Sequence, residues 1–246
     1  LVWANDSTLP GWHLFNRESS AIVQYSVDDG SGNTGKFYSY GADGDRALGA
    51  LVSSNAYFGG TAAGYGQAAG WIAVALQNSS ASAIDAVTLR FSGEQWRFGG
   101  SANEQFMVLE YGFGESFTTV PQWLAAGTSF NWSVKDGSGG ALPVDGNGVG
   151  KRQNLGGDLR GLNWAPGQTL WLRWAQNRIT TGGTSNGMAI DDVTITKASA
   201  DTAPPVIQSS TPANNATNVS TMGSITLQFD EAVQAGDGSF ELRKGS

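Results

Sequence analysis

Met188-Ala-Ile-Asp-Asp-Val-Thr-Ile-Thr196 and, shortly after it, Asp201-Thr-Ala-Pro-Pro-Val-Ile207 decide how this chain is read. The first run alternates like a strand and closes a long strand-rich stretch. The second is a Pro-flanked joint. Beyond it Ser224-Ile-Thr-Leu-Gln-Phe-Asp-Glu-Ala-Val233 alternates again. A Pro-bearing joint between strand-rich units is the way strings of extracellular modules are built. The expected organisation is therefore a β module over residues 1–198, a linker over 199–205 and a truncated β unit over 206–246.

Upstream of the joint, short alternating runs and Gly-rich turns recur every ten residues or so, the cadence of a sandwich. Ala21–Val27, Lys36–Tyr40, Trp71–Leu76, Val87–Phe91, Gln105–Tyr111, Ser129–Val134, Thr169–Trp174 and Ile190–Thr196 read as strands. The stretch from Asp136 to Asp158 is polar and Gly-rich and reads as a connection. No segment has a helical apolar period. The expected fold is all-β: a two-sheet antiparallel sandwich followed by an incomplete β unit.

Composition agrees. Of 246 residues, 40% are apolar, enough for a buried core, while charged residues are only 14% and Gly and Trp number 35 and nine. Glycine supplies tight turns and bulky aromatics suit pleated surfaces. A net charge of −7 excludes the basic face that nucleic acid requires. With zero cysteines, disulfides, thiolate zinc sites and cysteine nucleophiles are excluded. No stretch is long and apolar enough to span a membrane. Leu1-Val-Trp-Ala lacks the basic start and apolar core of a signal peptide, so export would imply a leader removed or placed elsewhere.

Five segments together, Phe37-Tyr-Ser-Tyr-Gly41, Arg46-Ala-Leu-Gly49, Phe91-Ser-Gly-Glu-Gln-Trp-Arg97, Leu170-Trp-Leu-Arg-Trp174 and Gly187-Met-Ala-Ile-Asp-Asp-Val193, resemble a recurrent jelly-roll module of large secreted bacterial proteins. That module often precedes Ig-like repeats, surface-anchor segments or extracellular nuclease and phosphatase domains. The likeness covers residues 10–197, and its Ala-Ile-Asp-Asp-Val ending is similar to the last strand of carbohydrate-binding jelly rolls. Gln176 departs from the pattern, which has an acidic residue after the Arg-Trp pair. Downstream, Thr211-Pro-Ala-Asn-Asn-Ala-Thr-Asn-Val219 resembles the start of a bacterial Ig-like domain of the surface-layer type.

Catalysis finds little support in the residues. The one histidine, His13, has no Gly-x-Ser-x-Gly elbow to serve. Glu94, Glu104, Glu110 and Asp158 are acids, but a glycosidase needs two facing each other across a cleft. Glu110 alternates with Leu109 and Tyr111 and projects from the opposite face of its strand.

Binding is better founded, because aromatic faces stack on sugar rings while amides and guanidinium groups bond their hydroxyls. Tyr57, Phe58 and Tyr65 lie among glycines in one loop and are the first candidates, unless Tyr57 and Phe58 tuck under it. Gln95 and Arg97 share one strand face and are the second, unless Arg97 or Arg173 pairs with a carboxylate inside the sandwich. The remaining tryptophans, Trp71 and Trp171 included, read as core.

Asp191 and Asp192 interrupt an apolar strand. Adjacent residues face opposite ways, so one acid lies inward, Asp191 by its alternation with Ala189 and Val193 unless a bulge swaps the two, and it needs neutralising. Calcium is one expected partner, with Asn16, Glu18, Asp28 and Asp29 completing the ligands if first and last strands pair, as the resemblance implies. A salt bridge to Arg173 or Arg46 is the other.

The expected function is that of a noncatalytic glycan-binding or adhesive module of a secreted or cell-surface multidomain bacterial protein. Its partners would be a polysaccharide or cell-surface glycan and neighbouring domains of the same chain. The alternatives are an accessory domain of an extracellular hydrolase or nuclease whose catalytic unit lies outside these residues, and a structural spacer of a surface layer.

Overall fold

A computed structural model describes residues 1–41, 44–60, 67–101, 104–177, 185–198, 204–220, 223–231 and 233. The chain divides into two compact units, Leu1–Ser199 and Ala200–Ser246. Among the described residues no helix is long and apolar enough to cross a membrane.

The first unit is a jelly-roll-like sandwich of two sheets, whose strands among the described residues are, in chain order, β1 (Trp12–Asn16), β2 (Ser26–Asp28), β3 (Lys36–Tyr40), β4 (Ala47–Leu51), β5 (Ala68–Gln77), β6 (Val87–Phe98), β7 (Gln105–Phe113), β8 (Leu124–Ala125), β9 (Trp132–Val134), β10 (Leu142–Pro143), β11 (Lys151–Leu159), β12 (Thr169–Asn177) and β13 (Gly187–Lys197). One sheet runs β1-β5-β12-β7-β8, with β9 also on β7. The other runs β10-β6-β13-β4-β3-β2, with β11 also on β6. Pairing is antiparallel except between β2 and β3, which are parallel.

Alternation explains the core. Leu170, Leu172 and Trp174 of β12 share one parity with Leu14 of β1, Ile72 and Val74 of β5 and Leu109 of β7 across the register, and all are buried against Leu89, Phe91, Met188 and Ile190 of the opposing sheet. Trp174 is fully buried, stacking on Trp12 at 5.8 Å and meeting Phe91 edge-on at 5.5 Å.

The structure departs from the sequence expectations at several strands. The Asp136–Asp158 connection contains β10 and most of β11, an edge strand whose glycines and exposed positions erase the apolar period. Of the expected Ala21–Val27 strand only Ser26 and Val27 lie in a strand, β2, with isolated bridges at Ala21 and Gln24. β6 continues past Phe91 to Phe98, because both of its faces are covered.

The second unit contains an antiparallel pair, β14 (Ile207–Thr211) and β15 (Thr226–Phe229). Val206 and Asp230 bond each other reciprocally beside it, through Asp230 N–H to the Val206 carbonyl at 3.0 Å and Val206 N–H to Asp230 Oδ1 at 2.8 Å. The run Ser239-Phe-Glu-Leu-Arg243, whose alternation reads as a further strand, lies outside the described residues.

Trp174 fills the space between the sheets, so Trp174→Ala leaves a cavity there. The expected cost is about 3–5 kcal/mol, measured as a fall in the denaturation midpoint of the full chain; a loss under about 1 kcal/mol would show that the core is not centred on this ring.

Candidate functional site

The other parity of the first sheet is not conventionally polar. It presents Trp71, Ala73 and Ala75 from β5 and Trp171, Arg173 and Ala175 from β12. Register aligns these with their neighbours in rows: Phe15, Trp71 and Ala175 in one, and His13, Ala73, Arg173 and Glu110 in the next. Small alanines between large rings leave room above the sheet.

The chain after β7 folds into that room. Gly112 and Gly114 permit it, since a Cβ on Gly112 would lie 2.5 Å from Val120 Cγ1 and 2.6 Å from the Gln122 carbonyl. The turn is held by Ser116, whose N–H donates to Thr119 Oγ1 at 2.9 Å. Phe117 thereby stacks on Phe15 at 3.9 Å, and Trp123 comes to rest 5.1 Å from Phe117. Phe15, Phe117, Val120 and Trp171 are buried in this outer cluster, whereas Trp71 and Trp123 remain partly open to solvent.

Arg173 sits at the centre. Its guanidinium carbon lies 3.9 Å from the Trp123 ring centroid, 4.9 Å from Trp71 and 5.7 Å from Phe117. Cations are attracted to the negative faces of such rings. Its Nε donates to Glu110 Oε2 at 2.7 Å. Burial draws the guanidinium below its ordinary value while the Glu110 charge acts against that, and an arginine so placed remains cationic. Among the described residues its Nη atoms have no hydrogen bond to the protein. Trp71 Nε1 is also buried without an acceptor, whereas Trp171 Nε1 donates to the Gly114 carbonyl at 3.0 Å. The arrangement thus sets two partly open indoles around a fixed cation whose Nη atoms have no hydrogen bond among the described residues.

The residues named from the sequence are distributed differently. Phe58 is 1% exposed and packs on Phe37 at 5.4 Å, so it belongs to the core beneath its loop. Tyr57 is half-buried; its hydroxyl donates to the Gln24 carbonyl and accepts from Phe37 N–H, and burial pushes its phenol up. Tyr65 lies outside the described residues. Gln95 is wholly buried and bonds the backbone of Asp136 twice, donating to its carbonyl and accepting from its N–H, both at 2.9 Å. Arg97 is half-buried and donates to the Gly30 and Ser31 carbonyls at 2.9 and 3.2 Å.

The acidic set expected to hold calcium is not drawn together, and among the described residues no three His, Cys, Asp or Glu side chains converge. The first and last strands fall in different sheets, which separates the β1 end from β13. Asp28 accepts from the N–H groups of Gly30 and Gly32, and Asp29 from Ser31; Glu18 is exposed. A bulge between Asp191 and Thr194, with Asp192 at φ 53°, puts Met188, Ile190, Val193 and Ile195 on the core side and turns the acids away from it. The inward placement expected of Asp191 is corrected by that extra residue, because a bulge shifts strand parity. Asp191 is half-buried, and burial raises its carboxyl. The cation that serves Asp192 is Lys151, at 3.0 Å, which also approaches the buried Glu94 at 3.3 Å. Arg173 is committed to Glu110 and Arg46 to the carbonyls of Ser39 and Gly41.

Residues 201–242 match the family model for a bacterial Ig-like domain. No curated protein matches the chain. Among solved structures, the xylan-binding domain CBM22-1 of Paenibacillus barcinonensis Xyn10C is similar at 13% identity over 66% of this chain and 79% of that one, with a TM-score of 0.33. A carbohydrate-binding module, CBM28, specific for non-crystalline cellulose is similar at 12% identity over 78% and 91%, with a TM-score of 0.34. Likenesses of this size carry no argument about a ligand for this chain.

His13 belongs to the same face, 4.8 Å from the Trp171 ring. Burial lowers its pKa and the Asp6 charge opposes. The unfolded chain therefore takes up this proton at a higher pH than the folded one, and stability is lost as pH falls through the ordinary histidine range, ~6.5. Between pH 7 and pH 5 the melting temperature of the wild type is expected to fall further than that of His13→Gln; equal slopes would remove His13 from the balance.

Proposed function

We propose that the sandwich is a noncatalytic glycan-binding module of an exported multidomain bacterial protein, and that the glycan lies on the outer face of the first sheet. The observation that carries this reading is the partly open pair Trp71 and Trp123 flanking Arg173, whose Nη atoms have no hydrogen bond among the described residues. Sugar rings present C–H faces to indoles and hydroxyls to donors, and this face supplies both at fixed spacing. Rigid strands on one side and the Phe117–Phe15 stack on the other hold it ready, which lowers the ordering cost of binding.

The carboxylates support a binding role over hydrolysis. Glu110 is committed to Arg173, Glu94 accepts from Trp96 Nε1 at 2.9 Å, and Asp158 accepts from Thr88 and Arg160. A module of this kind serves equally as an adhesive unit or as the substrate-holding partner of an extracellular hydrolase or nuclease. The bacterial Ig-like match beside it supports a multidomain, extracellular setting.

A polysaccharide array probed with the full chain tests the proposal. Retention on one glycan class is expected, with Trp71→Ala and Trp123→Ala each weakening it by about tenfold or more, the worth of one stacked ring. Tyr57→Ala is expected to act on stability instead. A flat array with a folded protein would favour the spacer reading.

A further inference from the structure

At one end of the second sheet, β4 finishes at Leu51, β13 begins at Gly187 opposite it, and Arg97 of β6 pairs with Gly187. The loop before β3 closes over this corner, and between them lies a cavity of about 110 Å³. Arg97, Asn33, Ser53 and Ser185 give it polar walls, and Leu51 and Val52 an apolar one. It uses none of the residues of the aromatic face.

Arg97 differs from the other arginine argued above. Arg173 has its counter-charge in Glu110, whereas among the described residues Arg97 forms no ion pair with an acid. Its Nη1 is fixed by the Gly30 and Ser31 carbonyls. Its Nε and Nη2, the side-on edge of the guanidinium, carry no hydrogen bond to the described protein. Two parallel N–H groups on that edge match the two oxygens of a carboxylate. Carbonyl oxygens satisfy Nη1 without neutralising the charge, so an anionic ligand on the free edge would add the counter-charge that Arg97 lacks.

We propose that this cavity is a second ligand site that takes the carboxylate of a single hexuronate residue. Arg97 binds the carboxylate side-on, Ser53 and Asn33 meet ring hydroxyls, and Leu51 and Val52 face ring C–H groups. Size and charge narrow the ligand. A closed cavity of about 150 Å³ holds a benzene-sized ring; one of about 110 Å³ that opens to solvent admits the carboxylate and the near edge of one pyranose. The net charge of −7 opposes a polyanion lying along the surface, so the fitting residue is an isolated uronate at a chain end or branch.

The test is a titration of the ¹⁵N-labelled full chain with methyl glucuronoside, methyl glucoside and sodium acetate, followed by NMR at Arg97 Nε–H and Ser53 N–H. The glucuronoside is expected to shift both resonances and to bind at least tenfold more tightly than either comparator. Arg97→Gln is expected to lose that binding, and Trp123→Ala to keep it even though it disables the aromatic face. Equal binding of glucoside would overturn the role of the carboxylate, and acetate equalling the glucuronoside would overturn the role of the sugar ring. No shift at Arg97 in the wild type with any of the three would overturn the site itself, whatever the variant does to folding.

Discussion

A guanidinium in the middle strand of a sheet is the constraint on which the rest of this module turns. Arg173 lies between β5 and β7, where an unpaired charge would be expensive. Glu110 stands directly opposite in register and supplies the counter-charge. The indoles of Trp71 and Trp123 lie beside the guanidinium and shield it without neutralising it. The three small residues around it, Ala73, Ala75 and Ala175, leave the space that Phe117 and Trp123 enter.

Both sheets bury more than one face, and this accounts for the aromatic content. The second sheet closes part of its outer side: Tyr38, Tyr40 and Trp96 form a stacked row, Tyr38 to Tyr40 at 4.9 Å and Tyr40 to Trp96 at 6.1 Å. Gly146 lies against the Trp96 ring so closely that a Cβ there would sit 2.3 Å from it. Glu94 and Lys151 are sealed into the same side by their mutual charge and by Trp96 Nε1. The first sheet is closed only in part, by one short loop.

Runs dense in large apolar residues are legible as strands from sequence: β3 and the Leu-Trp-Leu run of β12 lie where their patterns put them. β11 is not, because an edge strand containing Gly156 and Gly157 has no apolar period to detect. The aromatic face escapes for the opposite reason. Trp71 and Trp171 sit in runs apolar at both parities, so they look like core, and only the register shows them on the far side from Ile72 and Leu172. The signal that was present is Arg173, a cation sharing parity with Trp171. Trp123 carried no signal, since its place depends on a loop crossing the sheet. The bulge at Asp191–Thr194 is equally silent in sequence, although two adjacent acids in an apolar strand mark where parity can change.

The central claim is that a sugar chain meets the first sheet between Trp71 and Trp123. Fluorine NMR of the full chain labelled with 5-fluorotryptophan, titrated in turn with cellohexaose, xylohexaose and mannohexaose, examines it at the rings themselves. The account predicts that at least one of these shifts the Trp71 and Trp123 resonances while Trp132, Trp164 and Trp174 stay fixed. Binding that leaves Trp71 and Trp123 unmoved and shifts another ring would contradict it.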